Sequence, residues 1–320
     1  MKVISYFITT IFSSACAMNA YAVNIIPDYS MKTYNQAIER IYDNSQLKTE
    51  HNMEKRINII SALFLGKPYL NDALGEGKKA SFDEHPLYRT DAFDCMTYVS
   101  TVLALAESNN FTMFKKNMLR VQYYHGVPIF VNRLHFTDVD WNKVNTQNGF
   151  IEDITTSFKS EQGKSIAQIA NAFINKPSWY KKMTTDRLYL LKPLSSQEEK
   201  KRLAELHSLA YQVKGENGSV PYLPLNILFN TDGKPNLFIF NQIPSGSIIE
   251  IVRPNWNLEK EIGTNLSISH LGFAIRTPEG LMFREASSLE HRVIDIPLTS
   301  YLKNYMDSAT VKGINIHKVT

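Results

Sequence analysis

The sequence contains little cysteine, little net charge and, beyond its first two dozen residues, no long hydrophobic run. Among its 320 residues are two cysteines, and 35 basic against 31 acidic side chains leave a net charge of +4. So small an excess of positive charge in so long a chain gives no indication of nucleic acid as a partner. Without a later apolar run, we expect no transmembrane segment in the mature chain. The hydrophobic fraction of 43% is ordinary for a packed domain and excludes a disordered or collagen-like chain.

The N-terminal segment has the features of a secretory signal. Lys2 precedes an apolar run, and Ala20-Tyr21-Ala22 supplies the small residues that precede a signal-peptidase site. Polar residues such as Ser13 interrupt the run, which argues against a membrane anchor. We therefore predict that residues 1–22 are a signal peptide, cleaved after Ala22, and that the protein is periplasmic or secreted.

Export would leave Cys95 as the one cysteine of the mature chain, because Cys16 belongs to the predicted signal peptide. No intramolecular disulfide is then possible. A lone thiol in an oxidising compartment is open to oxidation, so it is either buried and inert or retained for its chemistry.

Helical patterns dominate the first part of the chain, and strand patterns dominate the last quarter. This order predicts an α+β fold with a largely antiparallel sheet. A capping-box pattern, Ser195 with Glu198, marks the start of one helix. The predicted helices are 55–65, 95–107 and 195–213, and the predicted strands are 247–252, 266–276, 281–287, 292–296 and 310–318.

Cys95 stands at the predicted start of an apolar helix. Asp94 is a good N-cap residue, which places Cys95 in the first turn. There the unpaired N–H groups and the positive end of the helix dipole favour a thiolate. The alternative is a small buried residue at the start of a buried helix, and this segment alone does not decide between the two.

His270 lies in a predicted strand that is apolar on both faces, which indicates a central strand. By strand alternation it shares a face with Ile268, Gly272 and Ala274, and the small residues predict that a helix packs closely on that face. A lone histidine in a core strand is more often structural, so its neighbours decide its meaning.

A tight turn at Pro278 and Glu279 predicts how the His270 strand pairs with the next one. A two-residue loop there sets Gly272 opposite Glu285 and makes Glu285 a same-face diagonal neighbour of His270. A carboxylate in that position could fix the imidazole tautomer and favour an imidazolium paired with a thiolate.

Several blocks of the sequence resemble papain-like bacterial cell-wall hydrolases of the NlpC superfamily. Two longer stretches, 88–97 and 133–141, resemble more narrowly its N-acetylmuramoyl-L-alanine amidase-like branch. The likeness runs from about residue 65 to about residue 298. The shorter blocks are Gly66-Lys67-Pro68-Tyr69, Asp94-Cys95, Ser269-His270-Leu271-Gly272 and Glu285-Ala286-Ser287.

The resemblance implies a papain-like thiol hydrolase fold and hydrolysis of an amide in peptidoglycan or its muropeptide fragments. Residues 23–320 would form one amidase domain with a helical insertion at about 155–215. Cys95 would be the nucleophile, His270 the acid and base, and Glu285 the orienting residue. Because the superfamily usually has histidine at the third position, Ser287 remains an alternative orienter.

The cleft residues implied by the same blocks would bind substrate. Arg133 could hold a stem-peptide carboxylate with two hydrogen bonds. Arg89 could hold substrate or merely pair with Asp91. Trp141 would stack on a sugar or pack in the core. The spacing of the acidic residues and histidines matches no zinc or calcium pattern, so we predict no metal and no cofactor. The full set of predicted substrate-binding residues is Tyr69, Arg89, Asp94, Arg133, His135 and Trp141.

Three other functions are compatible with the same residues. A stem-peptide endopeptidase, cutting between γ-D-glutamate and the diamino acid, and an acyltransferase would each use the same triad. An exported binding protein would carry Cys95 only as a buried side chain. The reactivity of the thiol separates the enzymes from the binding protein.

Overall fold

Eight strands, each paired antiparallel with its neighbours, form one sheet in the computed structural model, which describes residues 31–320. The predicted signal peptide and Cys16 lie outside the described residues. The sheet has the order β2-β3-β8-β4-β5-β6-β7, with β1 beside β8. The strands are β1 (Ile151–Asp153), β2 (Gln168–Ile174), β3 (Glu216–Pro224), β4 (Ser247–Leu258), β5 (Thr264–Thr277), β6 (Gly280–Ser287), β7 (Arg292–Pro297) and β8 (Gly313–Val319).

The longer helices precede most of the sheet in the chain, as the α+β prediction required. In the described part of the chain, none of them has the length and apolar content to cross a membrane. The helices are α1 (Met31–Asp43), α2 (Ser45–Thr49), α3 (Met53–Ala62), α4 (Cys95–Ala106), α5 (Phe111–Gln122), α6 (Asn142–Gln147), α7 (Lys176–Lys182), α8 (Ser196–Ser208), α9 (Leu225–Leu228), α10 (Leu237–Gln242), α11 (Glu259–Ile262) and α12 (Leu298–Lys303).

The predicted helices and late strands all form, with ends that differ by a few residues. The capping box at Ser195 and Glu198 is present at the start of α8. The range 155–215, predicted as a helical insertion, contains α7 and α8 but also the edge strand β2, which pairs with β3. Neither β2 nor β3 was predicted: β3 contains Gly218, Pro221 and Pro224, which are typical of turns, and the apolar residues of β2 fell within the predicted helical insertion.

Two hydrophobic cores cover the two faces of the central strands. On one face, Leu271, Phe273 and Ile275 of β5 pack in the same core as α4, and the ring of Phe273 lies 5.9 Å from that of Tyr98, centroid to centroid. On the other face, Ala274 packs in a core with residues from β4, β6, β8 and α12.

The prediction that a helix packs closely over Gly272 and Ala274 is wrong. A methyl group on Gly272 would meet the Phe283 ring at 2.8 Å and the carbonyl oxygen of Arg284 at 2.6 Å, so the strand β6 covers this glycine. The helix α4 lies against the opposite face of β5. The small residues therefore accommodate a large ring of the neighbouring strand rather than a helix.

The β5–β6 hairpin has the predicted register. Thr277 pairs with Gly280 and Phe273 pairs with Arg284, which is the pairing that a two-residue loop at Pro278 and Glu279 requires. On the other side of β5, the partners of Ile251 and Val252 leave Ser269 as an extra residue. Such a bulge bends a strand and turns neighbouring side chains, and it lies immediately before His270.

A buried arginine fastens the hairpin to the helical layer. Arg284 is 4% exposed and donates to both oxygens of Asp295, at 2.7 and 2.8 Å. The same guanidinium donates to the carbonyl of Asn58 at 3.1 Å and to Ser61 Oγ at 2.9 Å, both in α3. Because Glu285 follows Arg284 directly, these contacts also fix the position of Glu285.

Replacing Arg284 by Met should lower the free energy of unfolding by about 3 kcal/mol, because the substitution leaves Asp295 and the α3 acceptors without their donor. Urea denaturation measures the change. The control is Arg292→Met on the neighbouring strand, where the side chain is exposed and the change should stay within about 0.5 kcal/mol. Equal effects of the two substitutions would contradict the role given to Arg284.

Candidate active site

The helix α4 begins at Cys95 because Asp94 caps it. Asp94 Oδ1 accepts from the N–H of Thr97 at 2.8 Å, and Thr97 Oγ1 accepts from the N–H of Asp94 at 2.9 Å, so the two residues form a capping box. Asp94 Oδ2 also accepts from the N–H of Ala73 at 3.4 Å. Since both carboxylate oxygens bind backbone, Asp94 positions the helix, although it also borders the cleft.

The buried body of α4 leaves its first residue at the edge of the core. Every residue from 97 to 106 is buried, whereas Cys95 is half-buried and its thiol is free. The backbone N–H groups of a first helical turn have no partners within the helix, so they can receive negative charge beside Cys95.

His270 joins Cys95 and Glu285. Its Nε2 contacts Glu285 Oε2, and the Cys95 side chain lies within hydrogen-bonding reach of the same imidazole. Because Glu285 occupies Nε2, Nδ1 is the nitrogen left to exchange a proton with the thiol. Phe283 and Tyr301 flank the imidazole, with ring centroids 5.8 and 6.2 Å from its own.

The charges beside His270 favour the imidazolium. Burial alone lowers the pKa of His270, but the negative charges of Glu285 and the Cys95 thiolate outweigh burial and raise this pKa to about 10. Glu285 itself is 4% exposed. The imidazolium is therefore the favoured form of His270 at neutral pH, and it lies beside the Cys95 side chain.

The three side chains face a shared cleft of about 320 Å³. Of the predicted binding residues, Tyr69, Asp94 and His135 line it. Its other lining residues, besides Cys95, His270 and Glu285, are Asn71, Met96, Arg253, Ser269, Ser287, Ser288, Leu289, Tyr301 and Tyr305.

Tyr69 lies beside the start of α4. It forms a backbone bridge with Phe93, two residues before Cys95, and its N–H donates to the carbonyl of His291 at 2.9 Å. Burial and the negative charges of Cys95 and Asp94 raise the pKa of Tyr69 well above its ordinary value. Its hydroxyl therefore stays protonated and can serve as a hydrogen-bond donor next to the thiol.

His135 borders the cleft as a neutral ring. Its Nε2 lies 2.8 Å from the carbonyl oxygen of Phe130, so this nitrogen carries the proton. Burial and the nearby charge of Arg133 lower the pKa of His135 to about 3. Its Nδ1 is then an acceptor, which suits a substrate N–H or hydroxyl group.

Arg133, expected to hold a stem-peptide carboxylate, is already occupied. Its Nε donates to Glu76 Oε1 at 2.7 Å and its Nη2 donates to Asp83 Oδ2 at 2.9 Å. It borders a smaller pocket of about 180 Å³ that shares His135 with the main cleft. Two carboxylates of the protein thus take the place that the prediction gave to a substrate.

Arg89 and Trp141 belong to the buried framework. Arg89 is 3% exposed and binds both oxygens of Asp91, at 2.7 and 2.8 Å. Trp141 is 1% exposed, and its Nε1 donates to Ser100 Oγ at 3.1 Å. The ion pair and the core position were the alternatives considered for these two residues, and Trp141 also borders the smaller pocket that Arg133 lines.

Three residues that line the cleft were not predicted from the sequence: Arg253, Tyr301 and Tyr305. An arginine directly after the predicted strand 247–252 was a visible signal for Arg253, because a charged residue in a buried strand needs a reason. The two tyrosines carried no such signal, since α12 was not predicted. Among residues 31–320, no group of three or more histidine, cysteine or acidic side chains could hold a metal ion.

Comparison with known proteins finds a matching family and similar solved structures. The AmiA-like family model, described as N-acetylmuramoyl-L-alanine amidase-like, matches residues 59–311. The crystal structure of protein LPG0564 from Legionella pneumophila has 44% sequence identity and a TM-score of 0.87, over 90% of this chain and 95% of that chain. No protein with a curated function matches.

A more distant structure shares the fold. An N-acetylmuramoyl-L-alanine amidase from Bacteroides uniformis has 22% identity and a TM-score of 0.58, over 84% of this chain and 99% of that chain. The arrangement of helices on an antiparallel sheet is therefore similar to that of an amidase.

The charge state of His270 can be measured by NMR of its ring. Its raised pKa means that the imidazolium persists through neutral pH and loses its proton only as the pH rises towards about 10. Glu285→Gln removes the carboxylate that favours the cation, so the titration midpoint should move to lower pH. His135, whose pKa is lowered to about 3, should stay neutral throughout and serves as the internal control. A midpoint of His270 that does not respond to Glu285→Gln would contradict this account.

Proposed function

The chain belongs to the AmiA-like, N-acetylmuramoyl-L-alanine amidase-like family, and on that premise we propose that it is an exported cysteine amidase. Its substrate would be the amide between the lactyl group of N-acetylmuramic acid and L-alanine, in peptidoglycan or its muropeptide fragments. One observation carries the proposal most directly: Cys95, His270 and Glu285 meet in an open cleft at the start of a helix.

The first half of the proposed reaction forms a thioester. The Cys95 thiolate attacks the lactyl carbonyl carbon, and the carbonyl oxygen becomes an oxyanion. Backbone N–H groups at the start of α4 and the protonated hydroxyl of Tyr69 would donate hydrogen bonds to it. His270 Nδ1–H then gives its proton to the L-alanine nitrogen as the C–N bond breaks, and the stem peptide leaves.

The second half hydrolyses the thioester. His270, now neutral, takes a proton from water through Nδ1, and the resulting nucleophile attacks the thioester carbonyl. The C–S bond breaks, which restores the Cys95 thiolate beside the His270 imidazolium and releases N-acetylmuramic acid, whose lactyl carboxyl group loses its proton to solvent. Neither half requires a metal or a cofactor.

Glu285 is the proposed orienting residue. It holds Nε2 of His270, which keeps Nδ1 towards Cys95 and stabilises the imidazolium. Ser287, the alternative, is 4% exposed, and its Oγ accepts from the N–H of Glu290 at 3.3 Å. The contact of Glu285 with the His270 imidazole favours Glu285 over Ser287 as the orienting residue.

Placement in the papain-like NlpC superfamily and export are parts of the same proposal. A cysteine at a helix start with a histidine on a neighbouring strand is the arrangement of papain-like thiol hydrolases, here in one domain of residues 23–320. The signal-like residues 1–22 fit a substrate outside the cytoplasm.

Mass spectrometry of muramyl-peptide digests tests the reaction. N-acetylmuramoyl-L-alanyl-γ-D-glutamyl-diamino acid should yield an intact peptide that begins with L-alanine. Cys95→Ala should lower the rate by a factor on the order of 10⁶, because the nucleophile is lost. An unchanged melting temperature serves as the folding control for this variant.

The products also separate the rival activities. Cleavage within the stem peptide would replace the amidase by an endopeptidase, and transfer of the muramoyl group to an added amine in preference to water would indicate an acyltransferase. Unreacted substrate with both wild type and Cys95→Ala would contradict hydrolysis of this kind.

A further inference from the structure

Arg253 is a buried cation in the wall of the candidate active site. It lies in β4, is 7% exposed and borders the cleft together with Tyr301 and Tyr305. Two residues earlier, Ile251 pairs with His270 on the neighbouring strand. Arg253 is thus about two strand residues, roughly 7 Å along β4, from the level of the catalytic imidazole.

The other buried arginines have full sets of partners. Arg89 and Arg284 each bind both oxygens of a carboxylate. Arg56 donates to four backbone carbonyls, those of Leu47, Glu50, Ala106 and Ser108. These partners explain why such cations are buried: each holds elements of the fold together.

Arg253 has no such set of partners among residues 31–320. Its Nη1 donates to Thr310 Oγ1, and its guanidinium lies over the Trp256 ring, 4.5 Å from the ring centroid. Its Nε is buried without a hydrogen-bond partner. Within residues 31–320, no carboxylate forms an ion pair with Arg253. The edge of a guanidinium formed by Nε and Nη2 can hold a carboxylate with two parallel hydrogen bonds.

The side chains beside Arg253 do not supply the missing negative charge. Tyr301 and Tyr305 are its nearest ionisable neighbours, and burial raises the pKa of both, so both remain neutral phenols. An uncompensated cation facing a cleft is stabilised when an anionic ligand binds beside it.

We propose that Arg253 binds the free α-carboxylate of the D-glutamyl residue in the stem peptide. The inference rests on the proposed amidase function. Because the stem continues through the γ-carboxyl group, this α-carboxylate is the first anion beyond the scissile amide. It lies one residue past L-alanine, about 7 Å from the leaving nitrogen in an extended peptide, and Arg253 lines the same cleft as His270.

The proposal makes Arg253 a determinant of substrate class. Stems with a free α-carboxylate should be preferred over stems in which this group is an amide, because an amide carries no charge to pair with the guanidinium. Arg133 cannot take this role, since Glu76 and Asp83 already occupy it.

Three dipeptide ligands separate the possible carboxylates. They are N-acetylmuramoyl-L-alanine joined to D-glutamate, to its α-amide or to its γ-amide. Calorimetry with Cys95→Ala measures their binding without turnover, and wild-type kinetics measure KM. The α-amide should bind about 10- to 100-fold more weakly than the γ-amide, from the strength of a two-pronged charged hydrogen bond.

The variants assign that preference to Arg253. In the Cys95→Ala background, Arg253→Gln should abolish the difference in affinity between the two amides. Arg253→Lys should keep part of that difference, because lysine keeps the positive charge but lacks the two parallel N–H donors. Arg40→Gln, an exposed arginine of α1, is the matched control and should keep the full difference. The comparison of the α-amide with the γ-amide can be made with Arg253 intact, so it tests the proposal even if the Arg253 variants do not fold.

The outcomes also separate this proposal from the proposed function. Equal binding of the α-amide and γ-amide, no binding of either, or a preference that survives Arg253→Gln would overturn the role of Arg253. Weaker binding of the γ-amide than of the α-amide would overturn the choice of the α-carboxylate. If Arg253-dependent selectivity appears and wild type still cleaves none of the ligands, the carboxylate site stands and the amidase proposal fails.

Discussion

The contact between His270 and Glu285 is the interaction on which the rest of the site depends. A histidine in this buried position would ordinarily be neutral, since burial lowers its pKa, and the carboxylate reverses that tendency. The contact exists because the β5–β6 hairpin sets Glu285 diagonally opposite His270, and Arg284 holds that hairpin on α3. The proposed chemistry therefore depends on the turn at Pro278 and Glu279 and on the buried Arg284, as well as on the three catalytic side chains.

Whether an arginine pairs with a carboxylate of the chain distinguishes the arginines that stabilise the fold from one that can bind a ligand. Arg133, Arg89 and Arg284 are each satisfied by carboxylates of the chain, so their positive charge stabilises the fold. Arg253 is as well buried, but among the described residues its Nε has no hydrogen-bond partner and no carboxylate pairs with it, and it lines the cleft. Residue type alone made Arg133 the attractive candidate for substrate binding, whereas the pairing pattern points to Arg253.

Local chemistry explains which features could be predicted from the sequence. Asp94 caps α4 through its own first turn, and Pro278 with Glu279 sets the hairpin register through a two-residue loop, so both could be inferred from neighbouring residues. The face of β5 that meets α4 could not, because strand alternation says which residues share a face but not what covers it. Likewise, the partners of Arg133 lie about fifty residues away in the chain, at Glu76 and Asp83.

The central claim is that the proposed reaction passes through a thioester on Cys95, and trapping with hydroxylamine tests it most directly. Hydroxylamine competes with water for a thioester whichever step limits the rate. The account predicts that wild-type enzyme acting on a muramyl peptide in the presence of hydroxylamine forms the hydroxamate of N-acetylmuramic acid, identified by its mass. Release of N-acetylmuramic acid as the free carboxylate alone, at every hydroxylamine concentration, would contradict it.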